Sequence, residues 1–253
     1  MNWKFLDSGV NTGKFNMDFD VFLAENFEKN TAIFRLYRWD PYCISLGANQ
    51  SFDEIDLNKT QYHQIDVVKR PTGGRAILHS QELTYSVIYP IESHISVKDI
   101  YNDINLALRK GLIKYDSKLE EIDLEHVQPD FKELYKKEIG AICFAVSAKS
   151  ELNFRGKKLV GSAQRKMGNV ILQHGSILCG DYHMKIIDYL KINVEKKKEI
   201  CDEIAQTTID LKTALNYDID YGTLNSSLLA GFEEHFNTIF EKIEQSSFEL
   251  NSV

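Results

Sequence analysis

Hydrophobic and polar residues change period several times along the chain, and each change marks an expected element. From Asn16 to Lys29, Met17, Val21, Leu23, Ala24 and Phe27 fall on one side of a helix. Thr31–Trp39 and Cys43–Leu46 then read as strands, divided by a turn containing Pro41. Phe52 to Gln64 reads as a helix with Ile55 and Leu57 inward. Asp66–Lys69 and Ala76–Leu78 are apolar or β-branched enough for strands, and Leu83–Tyr89 alternates as a half-buried strand does. Val97 to Tyr115 is the longest clear helix, with Ile100, Ile104, Ala107, Leu108 and Leu112 at helical spacing.

Ser117 to Gly140 is rich in Glu, Lys and Asp, holds Pro129, and reads as a mobile excursion over the surface. A short apolar strand is expected at Ala141–Val146. Glu151–Phe154 and Lys158–Gly161 flank a hairpin turn signal at Arg155-Gly156-Lys157, and Asn169 to Leu178 is a further strand. Val194–Ile204 and Leu224–Ile239 read as helices, the latter with Leu228, Phe232, Phe236 and Ile239 on one side. There is no internal repeat and no low-complexity linker. An early helix, many strands and terminal helices predict an α+β fold, with helices packed on a mixed or antiparallel sheet. At 253 residues the chain is long enough for one large domain or two small ones, and length alone does not choose.

Composition narrows the classes. Hydrophobic content of 43% and charged content of 26% are ordinary for a water-soluble protein. The N-terminus carries Asp7 and no signal-like apolar run, and no stretch approaches the roughly 18 apolar residues of a membrane span, so a cytoplasmic location is expected. The four cysteines, Cys43, Cys143, Cys179 and Cys201, are widely spaced without a CxxC pair, which argues against zinc and against a disulfide framework. A net charge of −7 gives a general nucleic-acid role no support. Yet Lys69, Arg70, Arg75, Lys157, Lys158, Arg165 and Lys166 fall in two short segments. If those meet in space, an acidic protein presents a local positive face that would steer an anionic partner.

Three motifs could carry chemistry. Pro71-Thr72-Gly73-Gly74 is a tight turn bracketed by Lys69, Arg70 and Arg75. Its bare N–H groups and flanking cations suit a phosphate or a polarised carbonyl, although a plain β-turn with solvated charges has the same sequence. Cys143 lies in an apolar strand, and Lys158 follows fifteen residues later across the expected hairpin. An ammonium held beside a thiol stabilises the thiolate and so activates a nucleophile, whereas a cysteine between Ile and Phe is as readily a core residue. Gly161-Ser162-Ala163-Gln164 places small side chains at a strand end, as a narrow acyl tunnel or a simple tight turn would need. His79 and His174 lack a second ligand at metal spacing and read as hydrogen-bonded structural groups. Neither a GxxxxGK[ST] loop nor a GxGxxG fingerprint occurs.

Together, KRPTGGRAILHSQELTYSVI, the Ile-Cys-Phe strand, GKKLVGSAQRK and NVILQHGSIL resemble the biotin/lipoate protein ligase superfamily. Within it they are most similar to the cysteine-dependent octanoyl-[acyl-carrier-protein]:protein N-octanoyltransferases, from about Trp3 to about Ile239, which implies one catalytic domain over residues 1–253 without a C-terminal accessory domain. The resemblance implies that Cys143 is the acyl-thioester nucleophile and that Lys158 lowers its pKa and contacts the acyl carbonyl. It implies further that Arg70, Gly73, Gly74, Arg75 and His79 line the acyl site, opposite Gly161, Ser162, Ala163 and Gln164. Two positions depart from the family pattern. Lys69 stands where a first Arg is usual, and Ser80 stands where an Asp commonly follows the His and would orient it.

The activity so implied moves an octanoyl group from acyl carrier protein, through a cysteine thioester, to a lysine of a lipoyl-domain protein such as the glycine cleavage H protein. It needs no cofactor, metal, nucleic acid or membrane, and a monomer is expected. Alternatives keep the same residues in other roles. A lipoate ligase would use ATP and tolerate Cys143→Ala, and an amidotransferase would take octanoyl from another lipoyl domain. An acyl-sensing scaffold would bind without a covalent adduct. Biotin transfer is disfavoured by the lack of a GRGR-type loop.

Overall fold

The structure is a computed structural model, and it describes residues 1–91, 95–124 and 151–248. Among the described residues, an eight-stranded sheet has the order β11-β1-β2-β6-β10-β9-β8-β7. Its strands are β1 (Asn2–Asn11), β2 (Thr31–Trp39), β6 (Glu82–Pro90), β7 (Ile122–Leu124), β8 (Leu152–Phe154), β9 (Lys157–Met167), β10 (Val170–Leu178) and β11 (Glu241–Lys242). The β1–β2 and β1–β11 pairs are parallel and the rest antiparallel. A second sheet has the order β4-β3-β5, from β3 (Cys43–Leu46), β4 (Asp66–Lys69) and β5 (Ile77–His79). The expected mixed sheet with packed helices is therefore found.

Helix α1 (Gly13–Glu25) is capped by the Thr12 side chain, which accepts from the Phe15 N–H. It packs Phe19, Leu23 and Ala24 against Leu6, Ile33, Ile88 and Leu172 of the main sheet. Helix α2 (Leu57–Tyr62) is shorter than the expected Phe52–Gln64. Asp56 caps it, and Phe52–Glu54 forms only a separate single turn closed by a Ser51–Glu54 capping box. Helix α3 (Val97–Tyr115) has the boundaries its periodicity predicts. Ahead of α5 (Val194–Thr207) lies the short α4 (Ile186–Tyr189), and both pack over the small sheet through Ile186, Ile200 and Ile204. After α6 (Leu211–Leu215), α7 (Tyr221–Phe236) crosses α3 closely. A Cβ added at Gly231 would stand 2.4 Å from the Gly111 Cα, so a side chain there would push the two helices apart.

These pieces form layers. Helices α3 and α7 cover one face of the large sheet, where Phe34 stacks on Phe232 at 3.8 Å. The other face carries α1 and the small sheet, and the junction between the two sheets is polar as well as apolar. Every residue of β6 is buried, which corrects the half-buried expectation for Leu83–Tyr89. The polar positions Glu82, Thr84 and Ser86 face the sheet-to-sheet junction rather than solvent. Residues 117–124 form a short turn, Ser117–Glu121, and strand β7 instead of a mobile excursion. The remainder of that region and the expected strand at Ala141–Val146, with Cys143, lie outside the described residues.

Candidate active site

The diglycine turn leaves β4 at the edge of the small sheet. Gly74 adopts φ +93°, which a side chain would strain, and its carbonyl lies against Gly47. A Cβ on Gly47 would come 2.0 Å from the Gly74 oxygen. Arg70 folds inward and is buried, donating from Nη1 to the Ser45 carbonyl (2.8 Å) and Ser45 Oγ (3.1 Å). Its Nε and Nη2 donate to the Gly73 carbonyl at 3.1 and 2.9 Å, and Nη2 also donates to the Arg75 carbonyl at 2.7 Å. A planar guanidinium thus holds both ends of one turn. Arg165 Nη1 reaches across from β9 to the Pro71 carbonyl (2.6 Å), so the two cationic segments do meet in space.

Beside the turn is a narrow cleft between the sheets. Antiparallel register puts Thr84 opposite Ser176, and Gly161 and Ala163 opposite Ser176 and His174, all on one face of the large sheet. These residues, with Tyr37 and Trp39 from β2 and Met17 from α1, form one wall. Ile77, His79 and Arg70 approach from the small sheet. Trp39 stacks on the His79 ring at 4.1 Å. Apolar lining of this kind with a few fixed polar groups suits a hydrophobic tail ending in a carbonyl.

Each imidazole in the cleft has a buried carboxylate behind it. His79 Nδ1 lies 2.8 Å from Glu82 Oε1, and His174 Nδ1 lies 3.5 Å from Asp20 Oδ2. Their other nitrogens face Ser45 Oγ (2.7 Å) and Thr72 Oγ1 (2.6 Å). Burial alone would raise the Glu82 pKa, but His79 and the hydroxyls of Thr84 and Ser176 bring it below the ordinary value. Asp20 behaves alike: burial opposes its charge, and Arg35, 2.7 Å away, with His174 and Ser86, draws it below. Burial holds His174 below the usual histidine range despite Asp20, and because an ionised Asp20 can only accept, a proton on Nδ1 facing it leaves Nε2 to accept from the Thr72 hydroxyl.

Lys158 is buried and pairs with buried Glu151 at 2.9 Å. A bulge sets its direction. Leu152 pairs with Val160 but Asn153 pairs with Lys158, so β9 has one extra residue there. Leu159 and Val160 both enter the main core with Leu152. Strand alternation across the bulge therefore starts the Lys158 side chain from the sheet face opposite Leu159 and Val160. The other Glu151 oxygen accepts from the Ser162 N–H at 3.3 Å.

Of the residues singled out from the sequence, Arg70, His79, Gly161, Ser162 and Ala163 line the cleft. Gly73 and Gly74 are exposed on the adjoining turn, and Arg75 is half-buried, 3.9 Å from Glu54. Gln164 donates to Gln173 Oε1 at 3.2 Å, beside but not in the cleft lining. Gly161–Gln164 lie mid-strand, not in a turn or at a strand end. Met17, Tyr37, Trp39, Ile77, Thr84, His174, Gly175 and Ser176 complete the wall, and sequence reading assigned none of them to it. The signal for Thr84 and Ser176 was the polar alternation in β6 and β10, which resembles a solvated face.

Among the described cysteines, Cys43 and Cys179 are buried, and burial pushes both thiols well up, so neither supplies a thiolate. No helix among the described residues is long and apolar enough to cross a membrane.

Residues 12–233 match the lipoyl protein ligase A/B catalytic domain family. The chain is 32% identical over 258 residues to the octanoyltransferase LipM of Clostridioides difficile (strain 630), covering 99% of this chain and 93% of that protein. It is 31% identical to the octanoyltransferase LipM of Bacillus subtilis (strain 168), covering 99% and 92%. Among solved structures, a bi-partite lipoate protein ligase from Thermoplasma acidophilum, studied with its E2 lipoyl domain, superposes with a TM-score of 0.75 at 18% identity, over 96% of this chain and 87% of that one. A lipoate-protein ligase A bound with ATP gives the same TM-score at 19% identity, over 96% and 89%.

Proposed function

Because the chain belongs to the lipoyl protein ligase A/B catalytic domain family, and relatives at about 30% identity along its length are octanoyltransferases, we propose that it is an acyltransferase of protein lipoylation. It takes an octanoyl group from the thioester of an acyl carrier protein and delivers it to a lysine of a lipoyl-domain protein, such as the glycine cleavage H protein. The observation that carries this reading is Lys158: a buried ammonium on the same strand as Gly161, Ser162 and Ala163, which line an apolar cleft.

The reaction runs in two halves. The Cys143 thiolate attacks the donor carbonyl, the carbon–sulfur bond to phosphopantetheine breaks, and the departing thiolate takes a proton. The acceptor lysine amine then attacks the octanoyl-cysteine, loses a proton, and expels the Cys143 thiolate. Lys158 contributes positive charge that favours thiolate over thiol and stabilises the oxyanion of each tetrahedral intermediate. Gly73 and Gly74 offer backbone N–H groups on an exposed turn, and the cleft between Trp39, Ala163 and His174 takes the acyl tail. Thioester-to-amide exchange is downhill, so the reaction needs neither ATP nor a metal. The chain works in the cytoplasm, and Lys69, Arg75, Arg165 and Lys166 around the turn face the acidic carrier.

Donor discrimination tests this. Octanoyl-carrier protein without ATP is expected to octanoylate a lipoyl domain, and free octanoate or lipoate with ATP is not. Turnover with the free acid and ATP alone would replace the transferase with a ligase.

A further inference from the structure

Glu82 stands behind the cleft wall and is not one of its lining residues. It is 1% exposed, and a single oxygen, Oε1, collects donors from His79 Nδ1 (2.8 Å), Thr84 Oγ1 (2.6 Å) and Ser176 Oγ (2.8 Å). All three donors line the cleft. Trp39, which also lines it, joins through Thr84, to which its Nε1 donates at 2.7 Å.

Hydrogen-bond directions in this cluster follow from the chemistry of its ends. The Arg70 guanidinium only donates, and an ionised carboxylate only accepts. Arg70 Nη1 therefore donates to Ser45 Oγ (3.1 Å), the Ser45 hydroxyl donates to His79 Nε2 (2.7 Å), and His79 Nδ1–H donates to Glu82 (2.8 Å). With His79 protonated on Nδ1 alone, every hydrogen in the run has an acceptor. Were Nε2 to carry a proton, Ser45 Oγ would accept from two donors and its own hydrogen would lose His79 as a partner. The far end is the Arg70 side chain, which fixes the Gly73 and Arg75 carbonyls and thereby the shape of the diglycine turn. Ser80 supplies no carboxylate, and the group that meets His79 comes instead from three residues along the chain.

We propose that Glu82 is a positioning residue for acyl transfer: by accepting from Nδ1 it fixes His79 in the Nδ1–H tautomer, and through Ser45 and Arg70 it holds the diglycine turn. It acts as an acceptor of fixed direction, not as a proton carrier, and it never touches substrate. The inference rests on the transferase reading for its role but not for its geometry.

The test is nitrogen-15 NMR of the His79 ring in the substrate-free full chain, with Glu82→Gln, Glu82→Leu and Ser80→Ala variants. Wild type is expected to carry its proton on Nδ1, against the Nε2 preference of free imidazole. Glu82→Gln keeps an acceptor oxygen and retains that tautomer. Glu82→Leu removes it, shifts the proton toward Nε2, and slows octanoyl transfer about ten- to hundredfold, the scale of a lost charge-assisted hydrogen bond. Ser80→Ala leaves the tautomer unchanged. A proton on Nε2 in wild type, alone or together with Nδ1, overturns the proposal, as does Nδ1–H persisting in Glu82→Leu or lost in Ser80→Ala. If Glu82→Leu does not fold, the wild-type and Ser80→Ala spectra still decide. The spectrum is read without substrate, so a failure of octanoyl transfer leaves it standing.

Discussion

Lys158 Nζ lies 2.9 Å from Glu151 Oε2, with both side chains buried to within 2% of full exclusion from solvent. A buried pair of this kind is not a stability device, because desolvation cancels much of the attraction; breaking it from one side is nevertheless expensive. Lys158→Met is therefore expected to lose about 3–5 kcal/mol by leaving Glu151 uncompensated. The double variant Lys158→Met/Glu151→Gln is expected to regain most of that stability in urea titration and still form no acyl-enzyme. Recovery of transfer along with stability would make Lys158 structural only.

Acid should weaken the fold in a defined direction. Asp20 and Glu82 both sit below their ordinary values of 3.8 and 4.5 in the native state. The unfolded chain takes up those protons first as pH falls, so it binds more protons than the native state in that range. Their contribution is fully present above the ordinary values and is lost as pH drops through the lower native ones. Urea midpoints measured from pH 7 down to pH 3 are expected to fall below about pH 4.5, the ordinary glutamate value. A midpoint that rises on acidification would show that these carboxyls are not held ionised.

Gly47 separates the turn's shape from its sequence. Gly47→Ala puts a methyl group against the Gly74 carbonyl, which cannot move without shifting the turn. A loss of about 1–3 kcal/mol is expected, with transfer falling further than stability explains. At Gly73 an added Cβ meets nothing within 4 Å, so Gly73→Ala is expected to stay within about 0.5 kcal/mol of wild type. Equal thermal shifts for the two variants would contradict this packing.

The cations around the turn should act at a distance. Carrier-protein association is expected to weaken as salt rises from about 0.05 to about 0.5 M, since screening shortens the reach of exposed charge. Arg165→Glu with Lys166→Glu is expected to flatten that dependence. Salt-insensitive binding would remove charge from the encounter.

Much of this arrangement was legible in the chain, and the exceptions have physical causes. Val97–Tyr115 was clear because a long amphipathic helix declares itself locally. Strand β1 was not. Asn2–Asn11 carries Asn, Asp, Ser and Gly, poor strand formers, and becomes a strand through non-local parallel pairing with β2 and β11. The family resemblance set Arg70 and His79 opposite Gly161, Ser162 and Ala163, and all five line one cleft. It could not show that Glu82, Thr84 and Ser176 point into a junction, because period-two polarity is the same whether water or a second sheet lies opposite. Nor could it show the bulge that turns Lys158, which depends on register with β8.

Intact-mass spectrometry of the protein mixed with octanoyl-carrier protein, without ATP, addresses the covalent step itself. An octanoyl adduct should form on Cys143, be absent in Cys143→Ala, and disappear as a lipoyl domain gains the same mass. Transfer to the lipoyl domain by Cys143→Ala at the wild-type rate, with no adduct at any time, would contradict a cysteine-borne intermediate.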